Sequence, residues 1–233
     1  MEIVRSVLRH TTWFGLLIVC NPSQADFGSR SVGALCPSYD ESLTYLEEAA
    51  IRTGDYSRTL RDLHSYLPDG TFRVFVRSER GFVGDTARQA VKSGLRAWES
   101  ATHDAVVFEI VPSVADADII VWVSDRPALN GQPTAGMVRI AHVPVGNVRR
   151  LRAHVDIRSR TTGGAPMNFA AMRHALMHEV GHVLGLDDSN VGGVMSRVSL
   201  AHPEDAPHPD EARTVMRQRR RIRTIMRNAI LKS

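Results

Sequence analysis

Two histidines four residues apart, His178 and His182, with Glu179 beside the first, are the residues of this sequence best suited to chemistry. On a helix, side chains four apart project from one face about one turn apart, so both imidazoles can bind one zinc ion at about 2.0–2.1 Å each. Glu179 is one step round the helix, placed to hydrogen-bond a water at the metal rather than the metal itself. Zinc lowers the pKa of such a water to about 7, and a neighbouring carboxylate can take its proton during attack. Gly185 lies three residues past His182; a glycine there can adopt a left-handed conformation and end the helix sharply. The chain then turns back, and Asp188 can present a carboxylate oxygen as the third ligand. Three protein ligands leave one position open, which is the catalytic rather than the structural arrangement. Gly192-Gly193-Val194-Met195 follows, a turn carrying a methionine soon after the third ligand.

These side chains need a helix held against a sheet, and the hydrophobic pattern supplies both. From residue 41 to 67, Leu43, Leu46, Ala50, Leu60, Leu63 and Leu67 recur at three- and four-residue spacing, broken by Gly54-Asp55, which predicts a helical hairpin. Pro68-Asp69-Gly70 is a turn signal, and the domain boundary is placed there. Phe72, Val74 and Val76 alternate with polar residues, as in a half-buried strand. Asp85 can cap a helix running to Ser100, with Ala87, Val91, Leu95 and Trp98 on one face. Residues 106–111 and 119–123 are β-branched runs of strand length. The Pro-, Gly- and Asn-rich stretch 125–136 reads as a loop, and 137–143 and 153–158 as weaker strands. Asn168 caps a long helix through Leu184, and a last helix starts near Asp210. One sheet packed by helices follows.

The 233 residues are 43% hydrophobic and 23% charged, with two cysteines. That supports one sizeable core and excludes a mainly disordered, collagen-like or disulfide-rich chain. No apolar run reaches the roughly 20 residues that span a bilayer, so no transmembrane span is expected. The net charge of +4 is unevenly placed: eight Lys or Arg and one Glu between Glu211 and Ser233 leave the rest of the chain at −3. Basicity confined to a tail argues against a nucleic-acid partner. The tail reads as a solvated helix face, with contact to an acidic surface as the functional alternative. At the other end, Arg5 and Arg9, the apolar stretch from Trp13 to Cys20, and small Ser23 and Ala25 read as a signal peptide cleaved after Ala25. The product would be secreted or periplasmic; an uncleaved buried helix and a lipoprotein anchored at Cys20 are the other readings.

The full pattern His178-Glu179-x-x-His182-x-x-Gly185-x-x-Asp188, followed by Met195, resembles the metzincin zinc peptidases. The string HEVGHVLGLDDSNVGGVMS is similar to the matrixin (matrix metalloproteinase) family in particular, and the resemblance extends loosely back to about Gly70. It implies an α+β fold, a twisted mixed sheet with a long zinc-binding helix, a Met-turn and a C-terminal helix. Met195 would be the apolar floor beneath the metal. The implied activity is that of a zinc-dependent endopeptidase, with one catalytic Zn2+ on His178, His182 and Asp188 and with Glu179 as general base. The domains would be a signal peptide at 1–25, an N-terminal helical segment at 26–68 that can serve as a prosegment, and a metallopeptidase domain at 69–233. A protein or peptide substrate would lie along the edge strand 137–143 by strand addition. The family register favours Asp188 over Asp187, and leaves His174, four residues before His178, a place beside the site or on the surface rather than in the ligand set.

The sequence departs from the family at several points. Asp188 stands where the third histidine is usual, although zinc accepts an oxygen donor. Matrixins also carry a second, structural zinc and calcium. Ile140-Ala141-His142 and Ala153-His154-Val155-Asp156 resemble segments that hold part of those sites, which nominates His142 and His154. Between Asp125 and Gly136, where the remaining ligands belong, there is no histidine, so a complete second Zn2+ or Ca2+ site is not expected. Ser196 replaces the aromatic residue that often follows the family's methionine. Cys36-Pro37 lacks the motif around the matrixin cysteine switch and reads as an ordinary free cysteine. A function of another class, a secreted zinc-binding interaction module without turnover, is the alternative; an intact Glu179 speaks against it, since binding needs no general base.

Overall fold

The leucine spacing at the N-terminal side becomes two helices, α1 (Tyr39–Thr53) and α2 (Tyr56–Leu63). Between them Gly54 takes φ +67°, and Asp55 caps α2 by accepting from Arg58 N at 2.9 Å. The computed structural model describes residues 39–64, 71–78, 82–125, 128–129, 132–145, 148–189, 192–196 and 203–232. The signal peptide and its cleavage point, Cys20, Cys36 and the Pro68-Asp69-Gly70 boundary lie outside them.

Next come β1 (Thr71–Ser78), α3 (Phe82–Ala101), β2 (Val107–Ile110), a single 3₁₀ turn at Val114–Asp116, and β3 (Ile119–Ser124). Two short strands follow, β4 (Ala128–Leu129) and β5 (Gln132–Pro133), then β6 (Gly136–Val145), β7 (Val148–Arg158), α4 (Phe169–Val183) and α5 (Pro209–Lys232). The main sheet has the order β2-β1-β3-β7-β6. Its first four strands are parallel, and β6 joins antiparallel to β7, from Gly136↔Ile157 to Val145↔Val148. β6 is therefore an edge, with one row of backbone groups turned away from the sheet. Among the described residues, no helix is long and apolar enough to cross a membrane.

Three sequence expectations are corrected. α3 starts at Phe82, so Asp85 lies in its first turn, where a carboxylate favours the positive end of the helix, instead of forming the cap. The 125–136 segment contains the β4–β5 pair, Ala128↔Pro133 and Leu129↔Gln132, because two-residue strands are too short to show a period. β6 and β7 are longer than 137–143 and 153–158, since arginines and Pro144 interrupt the apolar pattern without interrupting the ladder. A proline is tolerated there because the strand is an edge.

α3 lies over β1 and β2, and α4 over β6 and β7. The two helices approach closely at Gly94, where a Cβ would stand 2.9 Å from Leu176 Cδ2 and 3.3 Å from Arg173 O. Fully buried Trp98 fills the space beneath and donates Nε1–H to Met177 O at 2.9 Å, fixing α3 against the turn of α4 that precedes His178. α1 and α2 pack on α5 through a smaller apolar cluster of Leu43, Leu63, Ile222 and Ile225. Leu63 has no exposed surface. Leu63→Ala is therefore expected to destabilise the chain by about 2–5 kcal/mol, read from urea unfolding; a cost under about 0.5 kcal/mol, the range of surface substitutions, would show that this cluster does not contribute to the fold.

Candidate metal centre

α4 is built to end where the ligand loop begins. Asn168 caps its start, accepting from Ala171 N at 2.8 Å. At its end Gly185 takes φ +93°, Gly185 N donates to His182 O and Leu186 N to Gly181 O, both at 3.0 Å. This pair of bonds is the Schellman closure, and the left-handed residue it requires has little steric cost only at glycine. The reversal carries Asp188 back over the last turn of the helix.

His178 Nε2, His182 Nε2 and Asp188 Oδ1 then form a nearly equilateral triangle. The edges are 3.3 Å between the nitrogens, 3.3 Å from His178 to Asp188 and 3.4 Å from His182 to Asp188. One face of a tetrahedron around an ion with bonds of about 2.0–2.1 Å has edges of about 3.3–3.4 Å. The tautomers agree. His178 Nδ1 lies 2.8 Å from Val194 O and His182 Nδ1 2.8 Å from Leu186 O. A carbonyl can only accept, so each ring carries its proton on Nδ1 and turns an Nε2 lone pair toward the other. Two facing lone pairs and a carboxylate repel unless a cation lies among them, and this donor set fits zinc. It is the only group of three His, Cys, Asp or Glu side chains with metal-binding spacing among the described residues.

Electrostatics show the same demand for positive charge. Burial pushes the Asp188 carboxyl up, but the adjoining His178 and His182 rings outweigh it and hold the group well below the usual carboxylate range. Burial lowers His178, yet Asp188 and Glu179 more than reverse this and raise it. Metal and proton compete for such ligands.

Glu179 is 4% exposed, and burial is the main cause of its raised pKa, opposed by the two histidines. Its side chain backs onto Gly136 at the start of β6, where a Cβ would lie 2.7 Å from Glu179 Cγ and Oε1. A side chain at position 136 would push the Glu179 carboxylate out of its place against the edge strand. Met195 is buried under Gly181, where any Cβ would collide with its sulfur. The two decoys fall elsewhere. Asp187 is exposed and outside the triangle. His174 is buried, and its Nδ1 accepts from Glu204 N at 2.7 Å, tying α4 to the segment before α5.

Its burial makes His174 pH-sensitive. Burial lowers its pKa, assisted by nearby His178 and opposed by Glu204. A folded pKa below the unfolded one means that stability is full above about pH 6.5 and is lost as pH falls through the folded value. His174→Asn keeps an acceptor for Glu204 N without titrating. In metal-free urea unfolding it is expected to lose less stability than wild type between pH 7.5 and pH 5.5; equal losses would remove His174 from the acid response.

The chain matches the Matrixin family over residues 67–214, which include the whole sheet, the metal triangle and Met195. This chain is a matrixin. No curated protein matches it. The family match stops short of α1, α2 and most of α5, so the parts of this matrixin that flank the match on either side pack on one another.

As a matrixin it carries Asp188 in place of the third histidine, in a position that completes the triangle. Ser196 closes the Met-turn by donating Oγ–H to Gly193 O at 2.7 Å. His142 pairs with Leu151 and His154 with Arg139 across β6 and β7. His154 itself is lowered chiefly by burial and then by Arg139.

Sequence reasoning missed the residues that hold the ligands from behind. Glu211 accepts from Met195 N at 2.8 Å, from Val194 N at 3.3 Å and from His208 N at 2.6 Å. Gln218 donates Nε2–H to Gly185 O at 3.1 Å, so α5 grips both the Met-turn and the helix-ending turn. The one available signal was Glu211 three residues after His208, the spacing of a capping glutamate.

Proposed function

We propose that this matrixin is an exported zinc-dependent endopeptidase acting on protein or peptide substrates. The observation that carries the reading is the convergence of three lone-pair donors beside a buried carboxylate and next to the edge strand β6. Zinc held by His178, His182 and Asp188 would supply Lewis acidity to the scissile carbonyl and to a water. β6 would bind the peptide as an added antiparallel strand, orienting the bond to be cleaved. Glu179 Oε1 or Oε2 would accept the water's proton and then deliver it to the leaving amide nitrogen. A carboxylate raised by burial suits a group that must both take and give a proton. The buried Glu179 speaks against a zinc-binding module without turnover, which needs no general base.

Export rests on the basic, apolar and small-residue pattern of the first 25 residues. Helices α1 and α2 cover Ile222 and Ile225 of α5, which supports their staying with the mature chain rather than leaving as a prosegment. The test is a casein or gelatin zymogram of the purified protein, with chelator and after zinc is restored. Zinc-reversible clearing is expected; no clearing by a zinc-loaded protein would defeat the reading.

A further inference from the structure

We propose that Glu211 is a positioning residue for the metal ligand His178, acting through the single peptide unit that joins Val194 to Met195. This rests on the zinc-site reading above. The unit is planar and rigid. Its N–H, at Met195, donates to Glu211 Oε1 at 2.8 Å, and its C=O, at Val194, accepts from His178 Nδ1–H at 2.8 Å. A carboxylate and a ligand imidazole thus stand at opposite ends of one amide. The negative charge polarises the N–H and transfers electron density toward the carbonyl oxygen, because hydrogen bonds in series strengthen one another. A stronger acceptor at Nδ1–H fixes the ring and makes Nε2 a better donor to a metal. The usual direct carboxylate–histidine contact is here extended by one peptide.

The local sequence is shaped for this contact. Gly193 takes φ +84°, and a Cβ there would run into the Glu211 carboxylate, 2.8 Å from its Cδ. Glu211 Oε2 accepts from His208 N, which caps α5, while Oε1 reaches the Met-turn. Capping accounts for the first bond; the second, with Val194 N–H on Oε2 at 3.3 Å, fastens the Met-turn beside the ligand. His182 provides an internal control, since its Nδ1–H donates to Leu186 O on a peptide that Glu211 does not touch.

The experiment compares wild type, Glu211→Gln and Glu211→Ala. Zinc affinity is measured by competition with a chelator of known affinity, and the Nδ1 proton shifts of His178 and His182 by NMR of the zinc-loaded proteins. Glu211→Ala is expected to weaken zinc binding about 10- to 100-fold, and Glu211→Gln, which keeps an acceptor without the charge, by less. In Glu211→Gln the His178 Nδ1 proton should move upfield while that of His182 stays in place. Unchanged zinc affinity, or equal movement of both protons, overturns the proposal. Should Glu211→Ala not fold, the near-isosteric Gln variant decides alone. A wild type that holds no zinc overturns this inference and the site together. One that holds zinc but clears no casein overturns only the peptidase reading, and the affinity ratio still judges Glu211.

Discussion

Glu179→Gln is expected to retain one zinc per chain and to lose about 10²- to 10⁴-fold in kcat/KM for peptide hydrolysis. The side chain is outside the triangle of His178, His182 and Asp188, so its charge is not needed to hold the ion. It is nevertheless buried beside that triangle and pressed against Gly136 of the edge strand. A glutamine of the same shape fills this space, which keeps the packing of α4 on β6 and removes only the proton acceptor. Zinc content by elemental analysis and kcat/KM on a peptide substrate measure the two halves separately. A zinc-loaded variant with wild-type turnover would assign the proton transfer to another group.

Zinc is expected to raise the free energy of unfolding by about 4 kcal/mol when its free concentration is about 1,000 times the dissociation constant, and His182→Ala should abolish that increment. Metal binding to a site assembled only in the folded chain adds its free energy to folding. The site has that character: His182 comes from the helix, Asp188 from beyond the Gly185 reversal, and the His178 ring is held by Val194 of the Met-turn. Without an ion the buried lone pairs face one another at 3.3 Å. Removing His182 leaves two of the three protein donors that a catalytic zinc site uses. Urea unfolding with chelator and with buffered zinc reads the increment in each protein. Equal zinc stabilisation of wild type and His182→Ala would place the ion elsewhere.

The sequence by itself determined the chemistry and most of the elements. His178, Glu179, His182, Gly185 and Asp188 lie within eleven consecutive residues, so helix periodicity and one left-handed glycine are enough to bring them together. The same holds for α1 and α2, for β1 and for α4 with its Asn168 cap, where local spacing and capping chemistry coincide with the final structure. Local rules weakened at the edge of the sheet. β6 alternates poorly because Met137-Val138 and Ile140-Ala141 are adjacent apolar pairs, β7 shows its period only after Arg149-Arg150, and β4 and β5 are too short to have a period.

What only the tertiary structure decided are contacts between residues far apart in the chain, which no spacing encodes. The Glu179 side chain lies against Gly136, and the indole of Trp98 supports Met177, one residue before the first ligand. Glu211 and Gln218 reach back from α5 to the two turns that hold Met195 and Asp188 in place. In sequence these are an ordinary glycine, a core tryptophan and two polar residues of a basic helix. Their roles exist because a buried hydrogen bond or a missing Cβ acquires meaning only from its partner. The fold, not the order of residues, chooses that partner.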